Sequence, residues 1–129
     1  MSELIISVDR SEVRAGKLGE LKAAIDGLAA FVESHEPRPI AYNVYLNEEA
    51  GWMTVVQVHP DSASMEYHLD VAAPAFAGFV ELIRLTTQDV YGKPSDELLA
   101  RLRRKVALLG NATIAVHERR GGFARFATR

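Results

Sequence analysis

The stretch that decides the fold is "VVQVHPDSASMEYHLDVAAPAFAGF", residues 55–79. It opens as a strand and continues as a helix. Alternation along "WMTVVQVH" (Trp52–His59) puts Met53, Val55, Gln57 and His59 on one face and Trp52, Thr54, Val56 and Val58 on the other. Neither face is polar throughout, so both should be covered at least in part. Asp61 is a good N-cap for the helix that follows. Met65, His68 and Leu69 stand at i, i+3 and i+4, so burying the first and third turns His68 inward as well. Phe76, Phe79, Val80 and Ile83 make a second apolar stripe. Pro74 lies between the two stripes. The pattern predicts a helix to about Arg84, broken near Asp70–Ala73 and restarted at Pro74, whose missing N–H suits a first turn. A histidine on the apolar side of a helix still needs a reason.

Working outward, "LIISV" (Leu4–Val8) is a β-branched run that reads as a first strand. Leu18, Leu21, Ile25, Leu28 and Val32 recur at helical spacing, predicting an amphipathic helix over Lys17–Ser34 that Pro37 and Pro39 stop. "IAYNVYLN" (Ile40–Asn47) reads as a strand joined to Trp52–His59 by a hairpin-length loop. "LTTQDVYG" (Leu85–Gly92) is a fourth strand. Ser95 then caps a third helix with Leu98, Leu99, Leu102, Val106 and Leu109 as its buried stripe and Gly110 at its end. "ATIAVHE" (Ala112–Glu118) is a final strand, and "FARF" (Phe123–Phe126) a short edge piece. The expected fold class is α+β. It has a ferredoxin-like β-α-β-β-α-β core over residues 1–91 and a C-terminal helix–strand extension over residues 92–129, all in one domain. With helices on one side of the sheet and apolar residues on both, the second face is expected to meet another subunit.

Composition excludes several chemistries. The chain has 129 residues, 48% of them apolar and 25% charged, and no cysteine. Disulfides, thiolate nucleophiles and cysteine–zinc sites are therefore out. No apolar run approaches the ~20 residues of a membrane helix. "MSELIISVDR" lacks the basic and apolar segments of a signal peptide, so a cytoplasmic location is expected. The net charge of −2 hides an asymmetry, because Glu118 is the one acidic residue beyond position 100 while arginines and Lys105 accumulate there. No aromatic residues interleave the basic helix, which disfavours nucleic acid and favours pairing with acids of the protein itself.

Residues 1–91 resemble the dimeric α+β barrel superfamily, and within it the antibiotic-biosynthesis-monooxygenase-like domains. The resemblance lies in "VRAGKLGEL", "YNVYLN" and above all residues 55–79, where His68, Pro74, Phe76 and Phe79 follow the family cadence. It implies a homodimer and a small-molecule pocket between helices and sheet, with no cofactor. It also implies cofactor-independent oxidation of an aromatic or quinone-like metabolite. The alternative is a non-catalytic ligand-binding or oligomerisation module. The chain departs from the family where oxygenases carry Asn, Trp and Tyr, since Val55, His59 and Met65 stand there. The histidine of the haem-degrading branch is missing near Phe79 and Val80, and Ser7 stands where that branch favours Asn.

Those departures leave the histidines as the groups able to take a proton near neutral pH. His68 and His59 are the catalytic candidates, with Asn43, Gln57, Trp52 and Met65 as candidate ligand contacts. A structural, hydrogen-bonded His68 is the competing reading. His59, His68 and Asp61 do not match a recognised metal-ligand spacing, so no metal is expected.

Overall fold

The computed structural model describes residues 3–126. Its elements are β1 (Ile5–Val13), α1 (Leu18–His35), β2 (Ala41–Asn47), β3 (Trp52–His59), α2 (Ser62–Phe76), a 3-10 turn (Ala77–Phe79), β4 (Ile83–Tyr91), α3 (Asp96–Leu109) and β5 (Thr113–His117). The strands form one sheet in the order β2-β3-β1-β4-β5. β1 to β4 pair antiparallel in the ferredoxin-like order, and β5 adds to the edge parallel to β4. A parallel partner needs a crossover, and α3 supplies it. The extension thus docks on the core through both of its elements.

All three helices cover one face of the sheet. Leu21 of α1, Phe79 and the α3 residues Val106 and Leu109 pack on Met53, Val55, Ile83 and Leu85. A second cluster joins Met65, Leu69, Ala72 and Phe76 of α2 to Leu98 and Leu102 of α3, over Ile5 and Val90. The other face carries Ile6, Val8 and Val56, all half-buried, with Tyr45 exposed. There the Arg10 guanidinium lies 3.7 Å from the centre of the Trp52 ring.

β1 runs five residues further than the apolar run "LIISV" suggests. Ser7, Asp9 and Ser11 continue the inward alternation begun by Ile5, so the strand persists with buried polar side chains. In β4 the inward residues Leu85 and Gln88 are three apart, an odd spacing for a strand. A register shift opposite Arg10 and Ser11 absorbs it, and the Thr86 hydroxyl donates to the Arg10 carbonyl at 2.9 Å.

The helix over residues 62–76 is continuous through Asp70–Ala73, contrary to the expected break. Pro74 lies inside it, two residues before its end, and a 3-10 turn follows. Near a C-terminus a proline interrupts little, because few residues remain to need its N–H. Ile83 consequently opens β4 instead of closing α2. The N-caps behave as expected: Asp61 accepts from the Ser64 N–H and Ser95 from the Leu98 N–H. Gly110 ends α3 because a Cβ there would run into the Leu85 carbonyl. The edge piece expected at Phe123–Phe126 has no regular structure.

Candidate functional site

A cavity of about 50 Å³ lies between α1, α2, α3 and the covered face of the sheet. Leu28, Val44, Met53, Val55, Phe76 and Leu85 make most of its wall apolar. Into it look six polar side chains: Asp9, Ser11, Tyr42, Gln57, His68 and Lys105. That is space for a few waters or for one functional group of a larger molecule.

His68 faces inward, as the periodicity of α2 predicts, and is 2% exposed. Its Nδ1 stands 2.9 Å from both carboxylate oxygens of Glu36, whose side chain is fully buried. Glu36 follows α1 directly and precedes Pro37. A residue before proline is pushed to extended backbone, and Glu36 takes φ −122° and ψ 102°. That turn swings the carboxylate under α2 instead of into solvent. An ionised carboxylate can only accept, so Nδ1 carries the hydrogen. His68 Nε2 makes no hydrogen bond among the described residues, and the ring lines the cavity. This is the orienting arrangement of a general acid–base imidazole: one nitrogen fixed by a carboxylate, the other presented to a ligand.

The second histidine is placed differently. His59 is fully buried behind Gln57 and does not line the cavity. Its Nε2 lies 2.9 Å from Gln57 Oε1 and its Nδ1 2.7 Å from Ser64 Oγ, so both nitrogens are occupied. Burial, with the nearby His68 adding to it, pushes its pKa down to about 3. The ring therefore stays neutral, and orients Gln57. Tyr42 lies 5.4 Å from His68, centre to centre, and its phenol is pushed well above its ordinary pKa by burial and then by the carboxylates of Asp9 and Glu36. It remains a hydroxyl.

Of the sequence-predicted contacts, Gln57 and His68 reach the cavity. Met65 does not: it packs in the α2–α3 cluster. Asn43 and Trp52 lie on the opposite face of the sheet, where strand alternation puts them, and Asn43 is exposed. Sequence reasoning missed five residues: Glu36, Asp9, Ser11, Tyr42 and Lys105. Lys105 Nζ lies 2.8 Å from Asp9 Oδ2 and donates to Gln88 Oε1 at 2.7 Å, and Gln88 Nε2 donates to Ser7 Oγ at 2.9 Å. One signal was available. Leu98, Leu102, Lys105 and Leu109 share the buried stripe of α3, and a lysine on such a stripe calls for a buried partner. Arg101, by contrast, pairs at the surface with Asp70 of α2 at 2.8 Å.

A larger cleft of about 830 Å³ runs beneath the C-terminal segment, between Ile6, Tyr91 and the exposed Phe123 and Phe126. Its chemistry is poorer, with no buried acid–base pair among the described residues.

No protein-family model matches the sequence, and no curated protein matches it significantly. Solved structures do. SnoaB from Streptomyces nogalater, described as a cofactor-independent oxygenase, superposes with a TM-score of 0.59 at 14% identity, over 73% of this chain and 96% of its own. A candidate antibiotic biosynthesis monooxygenase from Chloroflexus aurantiacus gives 0.57 at 17%, over 68% and 90%. The chain has the antibiotic-biosynthesis-monooxygenase-like fold. MupZ from Pseudomonas fluorescens matches further, with a TM-score of 0.74 at 20% identity over 97% of this chain and 91% of that one. The first two likenesses span about the ferredoxin-like core, whereas the likeness to MupZ takes in the helix–strand extension too. In this chain α3 of the extension contributes Lys105 and Leu109 to the cavity wall.

Proposed function

We propose that the protein seats the reactive group of a small, largely apolar molecule in the cavity and moves a proton on it with His68. The observation that carries this reading is the Glu36–His68 pair, held at 2.9 Å in the cavity wall with no hydrogen bond at Nε2 among the described residues. Glu36 fixes the tautomer, so the free lone pair points at the ligand, and it offsets the charge that appears on the imidazole when the proton arrives. Gln57, held by His59, and Tyr42 supply hydrogen bonds for orientation. Apolar walls exclude water and strengthen each of these interactions.

The finer reading is cofactor-independent oxygenation of an aromatic or quinone-like metabolite. Removing a proton from an electron-rich substrate is the step such a reaction asks of the protein, and the fold is shared with SnoaB. A homodimer in the cytoplasm belongs to the same proposal. Ile6, Val8, Val56 and Tyr45 give the open sheet face an apolar surface that a second copy would cover, continuous with the cleft beneath Phe123 and Phe126. The alternative, a non-catalytic binding module, keeps the cavity and gives His68 a structural role.

A panel of small phenols and hydroquinones tests the proposal, with binding followed by ligand-observed NMR and dioxygen uptake by electrode. The expected outcome is binding by at least one member, with turnover lost in His68→Ala while that variant stays folded and dimeric by light scattering. Equal turnover in His68→Ala would refute the proton-transfer role. Binding without turnover would establish the module instead.

A further inference from the structure

We propose that the Lys105–Ser11 wall of the cavity is an oxygen-binding subsite, so that the substrate is an uncharged molecule with a carbonyl oxygen on an apolar body. This rests on the reading of His68 as the proton-transferring group, and it names the substrate class.

Ser11 carries the first argument. It is 0% exposed, lines the cavity, and its Oγ has no hydrogen-bond partner among the described residues. Of the buried side-chain hydroxyls described, it alone is left unpartnered. A buried hydroxyl without a partner is costly unless a ligand or water satisfies it.

Lys105 carries the second. An ammonium has three donors. Asp9 Oδ2 at 2.8 Å and Gln88 Oε1 at 2.7 Å take two, and Gln88 is itself fixed by Ser7. The third is spare, and Lys105 lines the same cavity as Ser11. Two donors therefore serve one cavity, one charged and one neutral, both on buried and rigidly packed elements.

The charge balance selects the kind of oxygen. Asp9 already neutralises Lys105, and Glu36 lies beneath His68. Burial first, and then these carboxylates, keep the Tyr42 phenol protonated, and both would oppose any other anion in the same place. A carboxylate or phosphate ligand is thus disfavoured. A neutral carbonyl oxygen accepts from Lys105 and Ser11 without that repulsion. The proton step then balances: the α-carbon gives its proton to His68 Nε2, and the C–H electron pair becomes the new C=C bond. The carbonyl π pair moves onto the oxygen, where Lys105 and Ser11 meet the growing charge. Return of the proton to the same carbon restores the ketone.

Cyclohexanone and its isostere methylenecyclohexane separate the oxygen from the apolar body. Binding to the full chain is read by NMR titration. The carbonyl stretch of bound ¹³C-labelled cyclohexanone is read by infrared difference spectroscopy, and α-hydrogen exchange in D₂O by mass spectrometry. The expected result is tighter binding of the ketone by roughly tenfold, a carbonyl stretch lowered on binding, and catalysed exchange. Ser11→Ala should remain folded, lose roughly threefold of the ketone preference and reverse part of the infrared shift. Asp9→Asn with Lys105→Met removes the ion pair without leaving a charge stranded, and should cut the preference to the roughly threefold that Ser11 supplies. His68→Ala should stop exchange and leave the preference and the shift in place. If both ligands bind equally to the wild type, the subsite is refuted and the reading of His68 stands. If neither ligand binds, the cavity reading fails together with the subsite. An unchanged preference and unchanged stretch in both the Ser11 and the paired Asp9–Lys105 variants also overturn the assignment.

Discussion

At the start of α3, Leu98 and Leu102 pack on Ile5, Met65 and Val90, and apolar side chains meet apolar side chains. One turn further along the same stripe, Lys105 sits over Asp9, Gln88 and Ser11. The helix is equally buried at both places. What differs is the strand beneath: β1 offers Ile5 to the first region and Ser7, Asp9 and Ser11 to the second. The first region stabilises the fold by removing carbon from water. The second repays desolvation with ion pairs and hydrogen bonds, and such an exchange often gains nothing net. The proposed ligand site in the cavity beside it is the use, other than stability, that such an arrangement would have.

The largest expected effect breaks the polar region from one side. Lys105→Met leaves the Asp9 carboxylate buried and unpaired, and should cost about 3–5 kcal/mol in urea unfolding. Adding Asp9→Asn should restore most of that. If the double variant is as unstable as the single one, the pair contributes net stability and the contrast with the dry region disappears. In the dry region, Leu102→Ala should cost about 3 kcal/mol through lost burial and the cavity left behind. No second substitution to a small residue would repair it, because nothing there depends on charge pairing.

The contrast also explains what could be read from the sequence. Period-3.6 stripes on α1, α2 and α3 and the caps Asp61 and Ser95 are local patterns, and they placed α1, α3 and the start of α2 to within a few residues, whereas the end of α2 was set about eight residues too late. β3 was legible to the residue because turn signals bound it on both sides. The dry core followed from the same stripes. The polar region did not, because each of its members looks ordinary in its own neighbourhood. Asp9 and Ser11 look like the polar end of a strand, Glu36 like a solvated acid before a proline, and Lys105 like part of a basic run. Their meaning arises from partners 32 and 96 positions apart along the chain. His68 was the exception, since a single histidine on an apolar stripe already implies a buried acceptor. Pro74 misled in the opposite direction. It reads as a helix break, but its cost depends on how much helix remains beyond it, and only two residues do.

Acid should act on the polar region selectively. His59 ionises near 6.5 when unfolded, and burial lowers it to about 3 in the folded protein. Between those values the unfolded chain binds a proton that the folded one does not. The stability due to neutral His59 is therefore complete above about pH 6.5 and falls as pH drops towards 3. By pH 4 the loss should reach about 3 kcal/mol. His59→Gln retains a polar group beside Gln57 and Ser64 and should flatten this part of the pH profile, measured as urea midpoints at pH 7, 5 and 4. Equal acid sensitivity in the variant and the wild type would show that other groups dominate the window.

The smallest effect has the opposite sign. Ser11→Ala removes the one unpartnered buried hydroxyl described, and should raise stability by up to about 1 kcal/mol. The methyl group fits where the serine Cβ already lies, so no cavity is made beyond the volume of one oxygen. In the dry region every truncation is a loss, because every atom there is satisfied by contact. In the polar region, deleting the atom that has no partner is a gain in folding and a loss in recognition. A melting temperature that rises in Ser11→Ala while its ketone preference falls would tie the two to the same oxygen. A fall of more than 1 kcal/mol would mean that the hydroxyl is satisfied in the ligand-free protein, and that the two regions are alike in having no polar atom to spare.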